Sequence, residues 1–419
     1  MKTKYNNKLS FLLIVPSFAC NPSTGAGQRT SLLYQILKNL GVVDILLIGE
    51  GEPQFLERFF QEANSLHVIK PREPAEIGLW RLIRPLSPKI LDLVATIFGP
   101  RKSLYQTDPN ILPLLYKLQA SNNYDFVIGR YLRPTARSGS LYLGEIPVIL
   151  DVDDRDDMVY KSRLNRSDIN FIHRLIFMWH FRQAQQIMAD LLPICKHIWL
   201  TSEIDLDEVK HPSKSVLPNI PYFLDFENNF VPLPENNSSK TVLFVGSFGH
   251  RVNREGVERF ISKCWPIISS AVEGATLRIV GSGGWEKLRE KFYDIPNVHI
   301  IGFVENLEEE YKQAAFTVVP LFEGGGTKIK VLESLFYQRT AVVTTSVQCG
   351  YKTLKNRETL LVVSDESELV NGCIELLVDF DLRLRLAEKG RSVVLNEYSY
   401  NRFSAIIRKT ILDLSENLK

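Results

Sequence analysis

Gly324, Gly325 and Gly326 are followed by Thr327, Lys328, Lys330 and Glu333. These residue types, in this order, suit an anion flanked by hydroxyl groups. Glycines let the backbone approach a ligand closely. The unpaired N–H groups of a first helical turn point outward, and the helix dipole adds partial positive charge there. Lys328 and Lys330 add full charges. Glu333, farther along the helix, can accept hydrogen bonds from sugar hydroxyls. Phosphate at one end and hydroxyls at the other describe a nucleotide or a nucleotide-sugar. The same residues would also compose an ordinary strand-to-helix turn with solvated lysines.

A second constellation is acidic. Pro147–Leu150 reads as a strand that runs into Asp151, Asp153, Asp154, Asp156 and Asp157, with Arg130 at the end of an earlier strand. Carboxylates at the C-terminal end of a parallel strand lie where α/β sheets place ligands. One reading is acceptor or sugar handling, another a hard cation. The alternative is helix capping and dipole compensation by Asp153 to Asp157.

Strands and helices must hold these groups. Apolar runs at residues 9–16, 42–48, 124–129, 147–150 and 198–202 alternate with helical patterns, and the alternation resumes at 241–245, 277–280, 298–301, 315–319, 341–345 and 359–363. Leu32, Leu33, Ile36, Leu37 and Leu40 share one helical face, and Gly41 ends that helix. Continuous apolar strands separated by helices specify buried parallel sheets. The expected division is 1–222, a Pro- and Asn-rich linker at 223–240, a second α/β domain at 241–397, and a final helical segment at 398–419.

A chain of 419 residues needs more than one domain. The net charge of +2 gives no argument for a nucleic-acid partner. The five cysteines have no paired spacing, which speaks against a disulfide framework or zinc site and fits the cytoplasm. Lys2, Lys4 and Lys8 before Leu9–Val15 resemble a short secretory signal. Pro16 and a glycine loop follow at once, and the first buried strand is the preferred reading. Residues 70–105 interleave Arg72, Arg81, Arg84, Lys89 and Arg101 with Trp80, Ile83, Leu86, Ile90 and Phe98. Such a stretch can lie on an anionic membrane, at the inner face of the plasma membrane, or pack on the domain with snorkelling arginines.

In combination the second-half motifs resemble the donor domain of the retaining glycosyltransferases of family 4. They are Val245-Gly246-Ser247 with Asn253 and Gly256, Ile279-Val280-Gly281-Ser282-Gly283, Ile301-Gly302-Phe303-Val304, and Pro320-Leu321 through Glu333-Ser334. The first half is similar through Pro22 to Gly27, which includes Gly25 and Gly27, and through Asp151–Asp154 and Leu217-Pro218-Asn219.

The resemblance implies a GT-B fold: two Rossmann-like domains facing across a cleft, with the C-terminal helix returning to the N-terminal domain. It implies sugar transfer from a UDP- or GDP-type donor to a saccharide or lipid-linked saccharide, with retention of configuration and no metal or other cofactor. Donor contacts would come from Gly246, Ser247, Arg251, Asn253, Gly281, Gly283, Phe303, Val304, Gly324 to Lys328, and Glu333. Lys330 would neutralise the leaving diphosphate. Asp153 takes the approximate place of a catalytic histidine, with Gly25, Gly27, Arg130, Asp151 and Asp154 on the acceptor side.

Two departures stand out. Many members carry a glutamate eight positions before Glu333 that contacts the sugar; here that position is Gly325, and either Glu323, two earlier, or main-chain amides would bind the donor sugar instead. The loop after the first donor strand reads His250-Arg251-Val252-Asn253-Arg254 in place of an arginine and lysine pair. A nucleotide-sugar epimerase and a non-catalytic nucleotide-sugar-binding protein are the alternatives. An NAD enzyme is disfavoured, because Ser17 to Thr24 separate the strand from Gly25-Ala26-Gly27.

Overall fold

The computed structural model describes residues 8–21, 24–51, 53–72, 105–144, 146–164, 169–221, 238–323 and 327–416. Residues 73–104 of the basic aromatic stretch, 222–237 of the expected linker, and Gly324, Gly325 and Gly326 lie outside the described residues. Contacts divide the chain into two units. One is Met1–Pro218 with Ser404–Lys419, the other Asn219–Phe403.

The first unit is built on β1 (Leu9–Pro16), β2 (Gly41–Ile48), β3 (Ser65–Ile69), β4 (Phe126–Arg130), β5 (Val148–Asp153), β6 (His197–Leu200) and β7 (Lys214–Val216). Their order is β3-β2-β1-β4-β5-β6-β7, and every pair is parallel. Phe11 to Val15 are wholly buried in the central strand, as an apolar run covered on both faces requires. Leu32, Leu33, Ile36 and Leu37 of the helix Gly25–Leu40 are buried. Thr24 caps that helix by accepting from the Gly27 N–H.

Gly41 ends the helix Gly25–Leu40 as its C-cap, extended at φ −178°, and begins β2; a Cβ there would stand 1.9 Å from the Leu9 carbonyl oxygen, so close strand approach demands glycine. One expectation changes: strand β5 runs beyond Leu150 and takes Asp151 and Asp153 into the sheet. The C-terminal helix spans Tyr400–Glu416. Phe403, Ile407, Ile411 and Leu414 are buried along it, and Trp199 Nε1 donates to Thr410 Oγ1 at 3.2 Å.

The second unit carries β8 (Thr241–Val245), β9 (Thr276–Val280), β10 (Val298–Gly302), β11 (Phe316–Val319), β12 (Ala341–Thr344) and β13 (Leu361–Val363). The order is β10-β9-β8-β11-β12-β13, again all parallel. In each sheet the winding reverses once, between β1 and β4 and between β8 and β11. A crevice for ligands forms outside the carboxyl ends of strands at such a reversal. No helix among the described residues is long and apolar enough to cross a membrane.

Candidate functional site

At the reversal in the second sheet, β8 is followed by Gly246 and Ser247, and β11 by Pro320. Gly246 lets these side chains come close: a Cβ would lie 2.5 Å from Lys330 Nζ and 3.0 Å from Asn253 Nδ2 and would displace the lysine tip. Lys330 Nζ donates to Asn253 Oδ1 at 2.7 Å, and Asn253 Nδ2 donates to the Ser247 carbonyl at 2.9 Å. The ammonium also sits 4.4 Å from the Phe244 ring centroid, a cation–π distance. Trp285 Nε1 donates to the Gly246 carbonyl at 2.7 Å. One lysine is thus fixed from three sides at the mouth of the sheet.

The neighbouring loop is shaped by glycine. Gly281 stands at φ +144° and Gly283 at φ +95°. A Cβ on Gly281 would fall 2.0 Å from the Gly246 carbonyl oxygen. On the helix Arg251–Arg259, a Cβ at Gly256 would meet the Pro320 oxygen at 2.6 Å. Phe303 is 68% exposed beyond β10, with Val304 half-buried beside it.

Charge at this mouth is tuned. Lys330 is half-buried, and burial with the nearby Lys328 charge lowers it to about 7. Burial pushes Glu333, also half-buried, up to about 7, with Lys330 opposing the rise. His250 is held below its ordinary range by burial and by Lys330 and Lys328. A lysine and a glutamate poised near neutrality on the helix Ile329–Phe336 can each change charge when an anion or a hydroxyl arrives. Lys328 occupies the N-cap position of that helix. The Thr327 hydroxyl accepts from Asn219 Nδ2 at 2.8 Å. Arg251 pairs with Glu255 and, at 3.2 Å, with Glu323, so Glu323 is held by an arginine of its own unit.

In the first unit the reversal lies between β1 and β4. Asp151 accepts from Arg29 Nη2 at 2.7 Å and Nε at 2.8 Å, and also from Arg130 Nη1. Arg130 Nη2 reaches Asp153 Oδ2 at 2.9 Å. Tyr131 donates its hydroxyl to the same oxygen at 2.7 Å. Arg29, Arg130 and Asp151 have essentially no exposed surface. Burial pushes the Asp151 carboxyl up, but the two guanidinium charges outweigh it and hold the group below its ordinary range. Arg130 and Asp151, expected to touch acceptor, instead neutralise each other beneath the surface and position Asp153. Asp153 adopts φ +51° and Tyr131 φ +66°, conformations that cost a non-glycine residue about 1–3 kcal/mol and cluster at functional sites.

The remaining acids divide. Asp154 is exposed. Asp157 and Asp205 bind Arg155, and Asp156 and Asp157 occupy a first helical turn. Among the described residues no group of His, Cys, Asp and Glu is arranged for a metal ion. Gly25 is exposed on its helix. Gly27 is packed against Asn21, whose carbonyl oxygen would lie 1.9 Å from a Cβ.

Sequence reasoning passed over Arg29 and Tyr131. Arg29 had a signal: it shares the buried helical face with Leu33, Ile36, Leu37 and Leu40, and a charge there requires a buried partner. Also passed over were Thr344 and Ser346, whose hydroxyls both donate to the Leu321 carbonyl just beyond β11.

Two doubly wound parallel sheets, each reversing its winding once, define the GT-B class of α/β fold. Residues 239–379 match the family model for glycosyl transferases group 1. Sucrose-phosphate synthase from Thermosynechococcus elongatus superposes with a TM-score of 0.64 at 16% identity, over 98% of this chain and 100% of its own. HepE from Anabaena, in complex with UDP, gives 0.64 at 10% identity over 97% and 100%. WaaG, a glycosyltransferase involved in lipopolysaccharide biosynthesis, gives 0.58 at 15% identity over 95% and 99%. At these identities the likeness establishes the fold. None of the curated proteins matches the sequence.

Proposed function

We propose that this chain is a glycosyltransferase that moves a sugar from a UDP- or GDP-type donor to a saccharide or lipid-linked saccharide acceptor, retaining anomeric configuration without a metal. The observation that carries the reading is the Lys330–Asn253–Ser247 clamp at the sheet reversal, inside the segment that matches the group 1 family. A fixed ammonium beside glycine-lined strand ends suits a diphosphate, and positioned charge at a developing anion is often the largest catalytic contribution. Glu333 then accepts from ribose hydroxyls. Phe303 and Val304 meet the base.

In the proposed reaction the bond between the anomeric carbon and the diphosphate oxygen breaks. The acceptor oxygen replaces it on the same face, and the acceptor proton passes to the departing phosphate. Lys330 stabilises the charge that develops there. Asp153 orients the attacking hydroxyl. Work in the cytoplasm on a surface polysaccharide or glycolipid, with residues 70–105 resting on an anionic membrane, completes the proposal; the neighbours HepE and WaaG support a UDP donor and a polysaccharide product by analogy.

Thermal-shift titration with UDP, GDP and ADP identifies the base. Donor incubated with and without acceptor oligosaccharides, followed by product analysis, tests transfer. Sugar inversion with donor alone would make the protein an epimerase. Tight donor binding without transfer or hydrolysis across many acceptors would make it a binding protein.

A further inference from the structure

We propose that Phe18 and Tyr131 form an aromatic platform that takes the C–H face of a sugar ring and presents one of its hydroxyls to Asp153. That the sugar is the acceptor rests on the glycosyltransferase reading; that the platform binds a sugar does not. Phe18 follows β1 and Tyr131 follows β4, the two strands between which the first sheet reverses. Their ring centroids lie 5.1 Å apart at 57°.

Phe18 is 60% exposed, yet it is not on a loose loop. It belongs to a 3-10 turn, Ser17–Cys20, in which Ala19 and Cys20 are buried. Gly49 presses on that turn so closely that a Cβ would stand 2.2 Å from Ser17 Oγ. Tyr131 is equally fixed. Its N–H donates to the Asp151 carbonyl at 2.9 Å, and its own carbonyl accepts from Thr135 Oγ1 at 2.7 Å. Backbone strain at φ +66° persists only where the surroundings enforce it.

A ligand for this place needs an apolar face for the rings and a hydroxyl edge for a carboxylate. A pyranose has both. A phosphate is not favoured, because Arg29 and Arg130 already face Asp151 and Asp153 and Asp154 is exposed nearby. A protein partner would need far more area than two rings supply.

The test uses the whole protein and saturation-transfer NMR with methyl glycosides of glucose, galactose, mannose and N-acetylglucosamine. Ring-proton signals are expected in wild type and Phe18→Trp, and to fall severalfold in Phe18→Ala, whose melting temperature stays unchanged. In transfer assays Phe18→Ala should raise acceptor KM about five- to tenfold and leave donor KM alone. Tyr131→Phe keeps the ring but removes one of the donors that hold Asp153 Oδ2, so kcat falls while acceptor KM holds. Undiminished signals in Phe18→Ala, or none from any glycoside with wild type, overturn the platform. Absence of donor binding and transfer overturns the enzyme reading alone, and Phe18-dependent glycoside signals would survive it.

Discussion

Lys330 Nζ and Asn253 Oδ1 are 2.7 Å apart, and the two side chains act as one unit. The asparagine aims the ammonium, and its amide is anchored in turn by Ser247. If the clamp holds a diphosphate, Lys330→Ala and Asn253→Ala should each weaken UDP or GDP binding by roughly 10- to 100-fold, the worth of a charged hydrogen bond. Lys330→Arg should not restore it, because a planar fork cannot occupy the point beside Gly246. Calorimetric titration measures this; wild-type affinity in both alanine variants would contradict the assignment.

The pH dependence has two limbs. A diphosphate requires Lys330 charged, and Lys330 titrates at about 7. Ribose hydroxyls require Glu333 ionised, and Glu333 also titrates at about 7. Nucleotide affinity should therefore peak near neutrality and fall on both sides, as titrations from pH 5.5 to 9 would show.

Glu333 also marks ligand-free stability. Its folded value lies above the 4.5 of an ordinary glutamate, so the folded state holds the proton more tightly. The associated stability is complete below pH 4.5 and is lost as pH rises through 7. Glu333→Gln does not titrate there. Discounted for solvent contact, it should gain about 1–2 kcal/mol over wild type at pH 8 and almost nothing at pH 4.5. Urea denaturation at both pH values reads the difference, and equal differences would refute it.

Removing Arg29 leaves Asp151 with one guanidinium. Arg29→Ala should destabilise the first unit by about 3–5 kcal/mol, the usual consequence of unpairing a buried charge. Asp151 lies below its ordinary range, so the network persists at neutral pH and yields only as pH falls through that depressed value. Denaturant midpoints at pH 7 and pH 3 test both statements.

Gly281 and Gly144 separate clash from strain. Both have positive φ, +144° and +77°, but only Gly281 faces an atom within reach of a Cβ. Gly281→Ala should cost about 3 kcal/mol or more and abolish nucleotide binding; Gly144→Ala should cost about 1 kcal/mol. Melting curves of the two variants make the comparison.

The parallel sheets were legible because their strands are unbroken apolar runs. The donor motifs were legible because glycine and lysine spacing has few uses. Short amphipathic helices such as Leu132–Ser138 left no clear period. The acidic run misled in part: Asp151 reads as a loop ligand until β5 is seen to continue through it. Periodicity cannot show where a strand stops when its last residues are charged and paired inside. Tyr131 carried no signal at all, since its backbone angle and its contacts with Asp153 and Phe18 join residues far apart in the sequence.

The Thr410–Trp199 bond and the buried row Phe403, Ile407, Ile411 and Leu414 assign the helix Tyr400–Glu416 to the first-made sheet. On a ribosome that sheet would emerge long before the segment that completes its wall. Until then it would display an unsealed apolar flank to chaperones and proteases.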